Sequence, residues 1–333
     1  MNDRYSRQVI LDKIGPQGQE TLFKSKVVII GCGALGTNIA NNLARAGVGT
    51  VLIVDRDLVE LNNLQRQNLF DEDDVGIPKA IAASQKLEKI NSQIQIKYLV
   101  KDVNNTNIEG IIDGFDLVLD GTDNVPTRML VNDACVKKGI PWIYAGVIQT
   151  KGMVMNILPE GPCFRCILPE VPPAGFLPTC ETVGVLNTIP AIIAAIESTE
   201  ALKILMNKDI ERRLLIYDVW THSFDAIEVK KDSTCECCVQ QDFKFLEMGK
   251  NEIVTILCDN GVQIIPAVDM DLNLEQIAGN LEKTADNVTA GEFLLKFAAE
   301  GKAATLFKDG RAIIKGTGDK GAAKSFYTRY LGL

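Results

Sequence analysis

A glycine-rich segment at residues 27–36, VVIIGCGALG, constrains the fold of this chain more than any other segment. Four apolar and mostly β-branched residues precede the pattern Gly-x-Gly-x-x-Gly, which Gly31, Gly33 and Gly36 form. Such a run predicts a buried strand, a tight turn and a helix N-terminus, where backbone N–H groups and the helix dipole favour a phosphate. The segment therefore predicts a nucleotide site within a βαβ unit.

Strands and helices alternate along the first part of the chain. Between Lys26 and about Ile143, short β-branched and aliphatic runs alternate with longer segments of helical period. The expected strands are 27–30, 51–54, 94–99, 115–120 and 141–146, and the expected helices are 34–46, 78–90 and 125–138. This alternation is typical of the α/β class with a doubly wound, Rossmann-like and mainly parallel sheet.

The pattern changes after Val239, where short strands and helices follow one another without βαβ order. The expected strands are 252–258, 261–267, 293–299, 302–307 and 311–316, and the expected helices are 272–284 and 320–330. Asp309-Gly310 between two apolar runs indicates a hairpin. A chain of 333 residues favours two domains, which we place at 1–240 and 241–333, the second a small α+β domain.

Charge and hydropathy argue against several classes of protein. A net charge of −8 argues against nonspecific nucleic-acid binding, which uses a basic face. The first residues, MNDRYSRQ, contain no apolar signal core, and the longest apolar run, 185–206, is interrupted by Glu197 and Glu200. That run predicts a buried helix, because it is too charged for a membrane span. We expect a cytoplasmic protein without a nucleic-acid or membrane partner.

Charged side chains after the glycine turn favour ATP over NAD. Asp55 ends the second strand about 20 residues after the turn, where an acidic residue meets ribose hydroxyls in such sites. Arg66 and Lys79 follow, and Asp123 comes directly after the fourth strand. Since parallel strands end at one edge of a sheet, these residues are expected in one crevice. Two cations and a carboxylate for Mg²⁺ suit a triphosphate, although spacing alone equally allows solvated surface charges.

Six motifs resemble the MoeB/ThiF/HesA proteins of the ubiquitin-activating-enzyme superfamily. They are RYSRQ, GCGALG, VDRDLVELNNLQRQ, VGIPKA, DGTDN and a pair of Cys-x-x-Cys sequences, in family order across about residues 1–240. The resemblance implies adenylation of the C-terminal glycine of a small ubiquitin-like sulfur-carrier protein of the ThiS/MoaD type, ending in Gly-Gly. It also implies a homodimer and a sulfur donor such as a cysteine desulfurase, in thiamin, molybdopterin or thiolated-tRNA synthesis.

The resemblance also implies which residues form the site. The implied nucleotide-binding residues are Gly31, Gly33, Ala34, Gly36, Asp55, Asn62, Asn63, Leu64, Gln65, Arg66, Lys79, Asp123 and Asn124. The implied catalytic residues are Arg7, Arg66, Lys79, Asp123 and Cys180. Among these, Asp123 would hold Mg²⁺, and Arg7 would reach the partner's site across the dimer interface.

The proposed chemistry agrees with a chain that contains one histidine, His222. The attacking group is a carboxylate, which is already ionised at neutral pH, so no general base is needed. The reaction needs alignment of the carboxylate with the α-phosphate and neutralisation of phosphate charge. We interpret His222, in the β-rich stretch IYDVWTHSFDAIEV, as structural.

Nine cysteines without a secretion signal favour metal binding or catalysis over disulfides. CFRC and CECC form two Cys-x-x-Cys pairs, which suit tetrahedral Zn²⁺ in a structural site within the crossover region, as the family has. The expected ligands are Cys163, Cys166, Cys235 and Cys238, with a redox role for one pair as the alternative. Cys237 is displaced from this pattern, and Cys32, Cys135 and Cys258 are expected as fillers beside the nucleotide or in the core.

Cys180 lies in a stretch rich in Pro and Gly, PPAGFLPTCETVGVLNTIP, which predicts a loop. In the family, a cysteine of this loop forms a covalent link with the activated carrier in some members. The alternative is an ordinary loop thiol, and the neighbouring Glu181 does not favour a thiolate.

Two other functions remain open for the chain. One is an ATP-dependent dehydratase that modifies a tRNA base on the same fold, and the other is a non-catalytic or NAD-type binding module. The acidic composition and the paired cysteines favour the sulfur-carrier enzyme. The C-terminal domain is not expected to be a rhodanese, because its single cysteine, Cys258, lies on an expected strand.

Overall fold

The computed structural model describes residues 3–173, 176, 178–247, 253–257, 261–266 and 270–332. Contacts divide the chain into two compact units, Met1–Met248 and Gly249–Leu333. The first unit extends past the predicted boundary at residue 240. The reason is that the N–H of Phe245 donates to the carboxylate of Asp133 on the first unit's own helix 125–138. Cys258 lies outside the described residues.

The first unit is built on one eight-stranded sheet. Its strands are β1 (Lys26–Ile30), β2 (Thr50–Val54), β3 (Gln95–Leu99), β4 (Leu117–Asp120), β5 (Trp142–Ile148), β6 (Lys151–Ile157), β7 (Leu214–Asp218) and β8 (Ser223–Ile227). Their order is β3-β2-β1-β4-β5-β6-β7-β8. The first five strands are parallel and the last three run antiparallel, so the predicted mainly parallel α/β sheet is confirmed.

Ten helices in the described residues of this unit connect or flank the strands. They are α1 (Ser6–Val9), α2 (Gly15–Lys24), α3 (Ala34–Ala46), α4 (Lys79–Ile90), α5 (Ile108–Ile112), α6 (Val125–Lys138), α7 (Phe164–Ile167), α8 (Cys180–Val183), α9 (Thr188–Leu205) and α10 (Lys244–Glu247). Helix α6 ends at Gly139 with φ 66°, a left-handed cap that glycine adopts without steric cost.

Strand β1 is buried on both faces of the sheet. Val27 and Ile29 belong to one apolar cluster with residues of α3, α4 and α9, whereas Val28 and Ile30 belong to a second cluster with residues of α5 and α6. A strand covered by helices on both faces needs apolar residues at every position, which explains the continuous run before the glycine turn. The helices leave the carboxyl edge of the parallel strands for the loops of the site.

No helix in the described parts of the chain is long and apolar enough to cross a membrane. Helix α9 fills the apolar run 185–206 and buries Glu197 and Glu200 inside the first unit.

In its described residues, the second unit is a six-stranded antiparallel sheet with two helices. Its elements are β9 (Ile253–Leu257), β10 (Gly261–Ile265), α11 (Leu274–Leu281), β11 (Asp286–Ala290), β12 (Leu294–Ala299), β13 (Lys302–Phe307), β14 (Ala312–Lys315) and α12 (Lys320–Leu331). The strand order is β11-β12-β13-β14-β10-β9. Residues of α11 and α12 share one apolar cluster with the sheet, so the predicted small α+β fold is confirmed.

Strand β11 and the turn at His222 are two of the local features that differ from the sequence predictions. Strand β11 was not expected, because its residues are largely exposed and form no apolar run. His222 lies in the turn between β7 and β8 with φ 57°, rather than in a strand, and its Nδ1 is 3.4 Å from the hydroxyl of Tyr217.

Candidate functional site

Three glycines lock the turn after β1 against the loop after β4. A Cβ atom at Gly31 would lie 2.5 Å from the carbonyl oxygen of Gly121, and one at Gly36 would lie 1.9 Å from that of Gly31. Both contacts are with backbone, so a side chain at Gly31 would force the two loops apart, and one at Gly36 would push the start of α3 away from the turn. Gly31 also has φ 91°, which other residues rarely adopt. The glycine turn and the loop after β4 therefore form one continuous surface at the edge of the sheet.

Asp55 and Lys79 place opposite charges beside this turn. The Asp55 carboxylate accepts the N–H of Cys32 at 2.6 Å and the N–H of Asp57 at 2.7 Å. Burial raises the pKa of Asp55, while the Lys79 ammonium lowers it. Burial lowers the pKa of Lys79, but Asp55 and Asp57 outweigh that effect, so its pKa is raised and it stays protonated. Lys79 is thus a fixed cation, 3.6 Å from a carboxylate oxygen of Asp57.

Residues 61–66 form a short turn after β2. Arg66 donates from Nη1 to the carbonyl of Asn62 at 3.0 Å, and its side chain makes no other hydrogen bond or ion pair within the described residues. Asn63 is buried and donates to the side-chain oxygen of Asn62, Leu64 packs against the core, and Gln65 is exposed. The turn therefore holds Arg66 by one nitrogen and leaves the rest of its guanidinium available for a ligand.

Asp120, the last residue of β4, is paired inside the protein. One carboxylate oxygen accepts the N–H and the hydroxyl of Thr122, at 2.9 and 2.6 Å, and the other accepts Nε of Arg128 at 2.8 Å. Arg128 also donates from Nη2 to the carbonyls of Thr122 and Ala145. This network fixes the backbone of the loop that carries Asp123.

Glu197 supports the same loop from helix α9. Its side chain is fully buried, and Oε1 accepts the N–H of Asp120 at 3.1 Å. Its other oxygen, Oε2, has no hydrogen-bond partner within the described residues. Burial, and after it the charge of Asp120, raises the pKa of Glu197 well above its usual range. Burial therefore favours the neutral form of Glu197 under the end of β4.

Asp123 is the exposed acid of this loop. Asn124 caps α6, because its side-chain oxygen accepts the N–H of Thr127 at 3.0 Å, and its amide donates to Asp123 at 3.3 Å. The Asp123 charge acts on the pKa values of both Lys79 and Arg128, so the three groups lie within electrostatic range of one another. The loop after β4 thus meets the segment after β2, and a carboxylate and fixed cations occur together there.

Cys180 lies at the start of a helical turn, not in the loop that its sequence predicts. It is the first residue of α8, which Thr179 caps through a hydrogen bond from the N–H of Thr182. The Cys180 thiol is half-buried and lies 3.8 Å from the carbonyl of Val147 on β5. The polar cap explains the difference, because Thr-x-x-Thr starts a helix even in a stretch rich in Pro and Gly.

The structure brings Cys180 to the charged residues of the site. Burial raises the pKa of its thiol, and Asp123 raises it further, whereas Arg66 and Arg128 lower it. The net effect is a raised pKa, so the thiol is largely protonated at neutral pH. Cys180 is near the candidate site but is not an activated nucleophile in this arrangement.

Arg7 stands apart from the other predicted site residues. It lies on α1 and is exposed, and no hydrogen bond or ion pair joins its side chain to another described residue. The adjacent Gln8 anchors the helix by donating to Gln19 and to the carbonyl of Ala46. Within one chain, therefore, no contact places Arg7 at the glycine turn.

Four cysteines from the two Cys-x-x-Cys sequences come together within the first unit. The ligand atoms of Cys163, Cys166, Cys235 and Cys238 all lie within 4.8 Å of one another. Tetrahedral Zn²⁺ with Zn–S bonds near 2.3 Å places its sulfurs about 3.8 Å apart. Two pairs that join the two sequences lie 3.6 and 3.5 Å apart, so the thiols fit such an ion. The cluster could hold a metal.

Helix α6 positions both cysteine segments. Asn132 accepts the N–H of Phe164 at 2.8 Å and donates to the sulfur of Cys237 at 3.3 Å. The buried guanidinium of Arg165 lies 3.4 Å from the carboxylate of Asp133. Cys237 is fully buried outside the four-cysteine group. These contacts fix the positions of the two cysteine segments relative to α6.

Sequence reasoning missed Arg128 and Glu197. Arg128 lies one turn into α6, directly after the motif DGTDN, where the helix starts at the carboxyl edge of the sheet. Glu197 interrupts the longest apolar run of the sequence, and a charged residue in a buried helix indicates a partner. Two signals in the sequence could have identified these residues. Arg128 follows shortly after a strand end, and Glu197 is a charged residue within an apolar run.

A glycine turn, fixed cations and an exposed acid at the carboxyl edge of a mainly parallel sheet define a nucleotide-binding α/β protein. The profile of the ThiF family matches residues 5–237, and the chain belongs to that family. The resemblance in its sequence motifs is thereby confirmed.

Curated relatives and solved structures agree with the family. The chain is 40% identical over 338 residues to the sulfur carrier protein ThiS adenylyltransferase of Bacillus subtilis (strain 168), covering 100% of both proteins. It is 39% identical over 244 residues to a sulfur carrier protein adenylyltransferase of Thermus thermophilus, covering 71% of this chain and 90% of that protein. The crystal structure of E. coli MccB with ATP aligns with a TM-score of 0.62 at 24% identity, over 72% of this chain and 74% of that one, which shows the shared fold.

Proposed function

We propose that this protein adenylates the C-terminal glycine of a ubiquitin-like sulfur carrier of the ThiS/MoaD type. The observation that carries the proposal is the 40% identity to a ThiS adenylyltransferase along the whole of both chains. The charged groups around the glycine turn support it, because they suit a triphosphate better than a nicotinamide cofactor. We assign the reaction to the first unit, which contains the family match.

The reaction is an attack of a carboxylate on ATP. A carboxylate oxygen of the carrier's last glycine forms a bond to the α-phosphorus, and the bond from that phosphorus to the pyrophosphate oxygen breaks. Pyrophosphate leaves with the electron pair, and no proton moves. The glycine turn and Ala34 would lie against the nucleotide, Asp55 near the ribose, and Arg66 and Lys79 at the phosphates. Mg²⁺, which Asp123 would hold, supplies charge neutralisation when bound.

A zinc ion in the four-cysteine cluster is part of the proposal. Four thiolates fill a tetrahedral shell and leave no position for water or substrate, so we assign the ion a structural role. It would join the segment after β6 to the segment after β8, which are far apart in sequence. The mutual distances of the four sulfurs, all within 4.8 Å, support this assignment.

A protein substrate needs an apolar docking surface, and the edge hairpin β7–β8 offers one. Trp220 is 73% exposed, Phe224 55% and Ile227 47%, and all three lie on or beside the edge strand β8. Large exposed apolar side chains are often found at protein–protein contacts. They support a protein, rather than a small metabolite, as the second substrate.

We also propose a homodimer in which Arg7 completes the partner's site. Arg7 has no partner within the described residues of its own chain, and the neighbouring Ile10 and Leu11 are 70% and 54% exposed. Apolar residues beside an unpaired cation suit a contact between two copies. A sulfur donor such as a cysteine desulfurase would then act on the acyl-adenylate, in the cytoplasm.

Exchange of labelled pyrophosphate into ATP tests the proposed function. The protein alone should exchange slowly, and addition of a ThiS-type carrier ending in Gly-Gly should stimulate exchange strongly. A carrier that lacks its last glycine is the matched control. Exchange that depends on tRNA instead would favour the dehydratase, and tight NAD binding without ATP binding would favour the binding module.

Replacing Cys180 with serine tests its covalent role. We expect Cys180→Ser to retain pyrophosphate exchange, within about twofold, because the thiol takes no part in attack on phosphorus. The variant should lose any reducible adduct with the carrier, which mass spectrometry without reductant measures. An adduct that persists in the variant, or normal sulfur transfer by a wild type that never forms one, would make Cys180 an ordinary thiol.

A further inference from the structure

We propose that Arg128 binds the carboxylate of the carrier's terminal glycine through its Nη1 group. This inference rests on the proposed function and adds a substrate-binding residue that the sequence motifs do not identify. It rests on three observations. The protein holds the guanidinium of Arg128 in place, one guanidinium nitrogen makes no hydrogen bond, and the guanidinium contacts an edge of β5 that β4 does not cover.

Two of the three guanidinium nitrogens of Arg128 are held by the protein. Nε donates to Asp120, and Nη2 donates to the carbonyls of Thr122 and Ala145, at 2.7 and 2.9 Å. The guanidinium also lies over the ring of Tyr144, 5.3 Å from its centroid. An arginine fixed on three sides loses little side-chain entropy when it binds a ligand.

Nη1 is the nitrogen that remains for a ligand. Nη1 makes no hydrogen bond within the described residues. It is also not fully buried, because it does not belong to the fully buried polar atoms without a partner. The Arg128 side chain keeps 11% of its surface exposed. Two N–H donors of a fixed cation therefore face an accessible space beside the loop of Asp123.

The contact that Arg128 makes with β5 places this accessible space at the site. Arg128 binds the carbonyl of Ala145, and Cys180 lies against the carbonyl of Val147, two residues further along β5. Carbonyls two residues apart in a strand point to the same edge, and they are about 7 Å apart along it. β4 pairs with β5 only as far as Ile143, so this edge is not covered by β4. Arg128 and Cys180 thus lie along the same edge of β5, and Arg128 also contacts the loop of Asp123 through the carbonyl of Thr122.

The other cations of the site suit phosphate rather than carboxylate. Lys79 already faces Asp57 and the glycine turn, and Arg66 follows β2, on the nucleotide side. An anionic glycine tail that approaches Asp123 needs a positive group before attack occurs. Arg128 supplies it in a planar form that matches a carboxylate.

Binding of the carrier with a free C-terminal carboxylate, compared with the same carrier as a C-terminal carboxamide, tests the inference. Calorimetry is carried out with α,β-methylene ATP, whose α-phosphorus bond cannot be cleaved. In wild type we expect the carboxylate form to bind about tenfold more tightly, the size of one charge-assisted hydrogen bond. In Arg128→Lys, which keeps a cation opposite Asp120 but loses the planar fork, the ratio should fall below about threefold.

Each ratio is measured within one variant, so a change in overall stability cancels. A second variant, Asp120→Asn with Arg128→Met, removes both buried charges together and should abolish the ratio. Arg213→Gln, at an exposed arginine away from the site, should keep the wild-type ratio. A ratio that is unchanged in both Arg128 variants overturns the inference. Failure of wild type to exchange pyrophosphate with the carrier overturns the proposed function instead.

Discussion

Replacing Asp123 with alanine should abolish carrier-dependent pyrophosphate exchange, with a fall of about a thousandfold or more. Asp123 is the exposed acid beside Lys79 and Arg128, and it is the residue proposed to hold Mg²⁺. Without that carboxylate, the charge that develops on the leaving pyrophosphate lacks its metal. Initial rates of exchange at saturating ATP and carrier measure the effect.

Exposed acids elsewhere in the first unit supply the matched control. Glu160→Ala removes an exposed carboxylate from a loop outside the site and should leave exchange unchanged. Thermal unfolding of Asp123→Ala should match that of wild type, because the side chain is exposed and outside the core. Robust exchange in Asp123→Ala would remove the residue from the mechanism.

Mixed dimers extend the same experiment to Arg7. Asp123→Ala and Arg7→Ala should each be inactive alone. When the two are unfolded and refolded together, half of the dimers are mixed and each has one intact site, so about a quarter of wild-type activity should return. Arg7 acting within its own chain predicts no recovery, because every site would then lack one of the two residues.

Replacing Cys166 with alanine should release the metal and destabilise the first unit. One ligand of the four would be lost, and the segments at 163–166 and 235–238 would no longer be joined through an ion. We expect wild type to contain about one zinc per chain. The variant should contain almost none, with a thermal midpoint lower by about 10 °C. Elemental analysis and calorimetry measure the two quantities.

Cys135→Ala is the control for the loss of a buried thiol. Cys135 is buried in the same apolar cluster as Cys163 and Cys235, but it lies outside the four-cysteine group. Burial raises the pKa of its thiol. This variant should keep its zinc. Its stability should fall only slightly, because the substitution leaves one small packing defect. A metal-free wild type that folds fully would contradict the structural zinc site.

The long local patterns were sufficient to predict most elements of the fold. The bounds of α3 and α6 were predicted to the residue, because each combines a helical period with a glycine stop. Strand β1 was predicted because a continuous apolar run before a glycine turn has few other structures. By contrast, β11 forms in a polar segment, because β12 supplies its hydrogen bonds and sequence period plays no part.

The candidate site divides in the same way. The glycine turn, Lys79 and the four cysteines could be predicted, because each belongs to a motif whose chemistry depends on short spacing. The helical position of Cys180 could not, because a single polar cap decided it against the surrounding Pro and Gly residues. Whether Arg7 reaches a partner's site remains a prediction about a second copy.

The sequence by itself determined the family, the sheet and the kinds of charge at its edge. Only the tertiary structure decided which of those charges are paired and which are available. Asp120 and Asp123 are three residues apart in one motif, yet Asp120 is turned inward to Arg128 and covered by Glu197, whereas Asp123 is exposed. The reason is that helix α9, distant in sequence, packs against the end of β4 and excludes water from one acid but not the other.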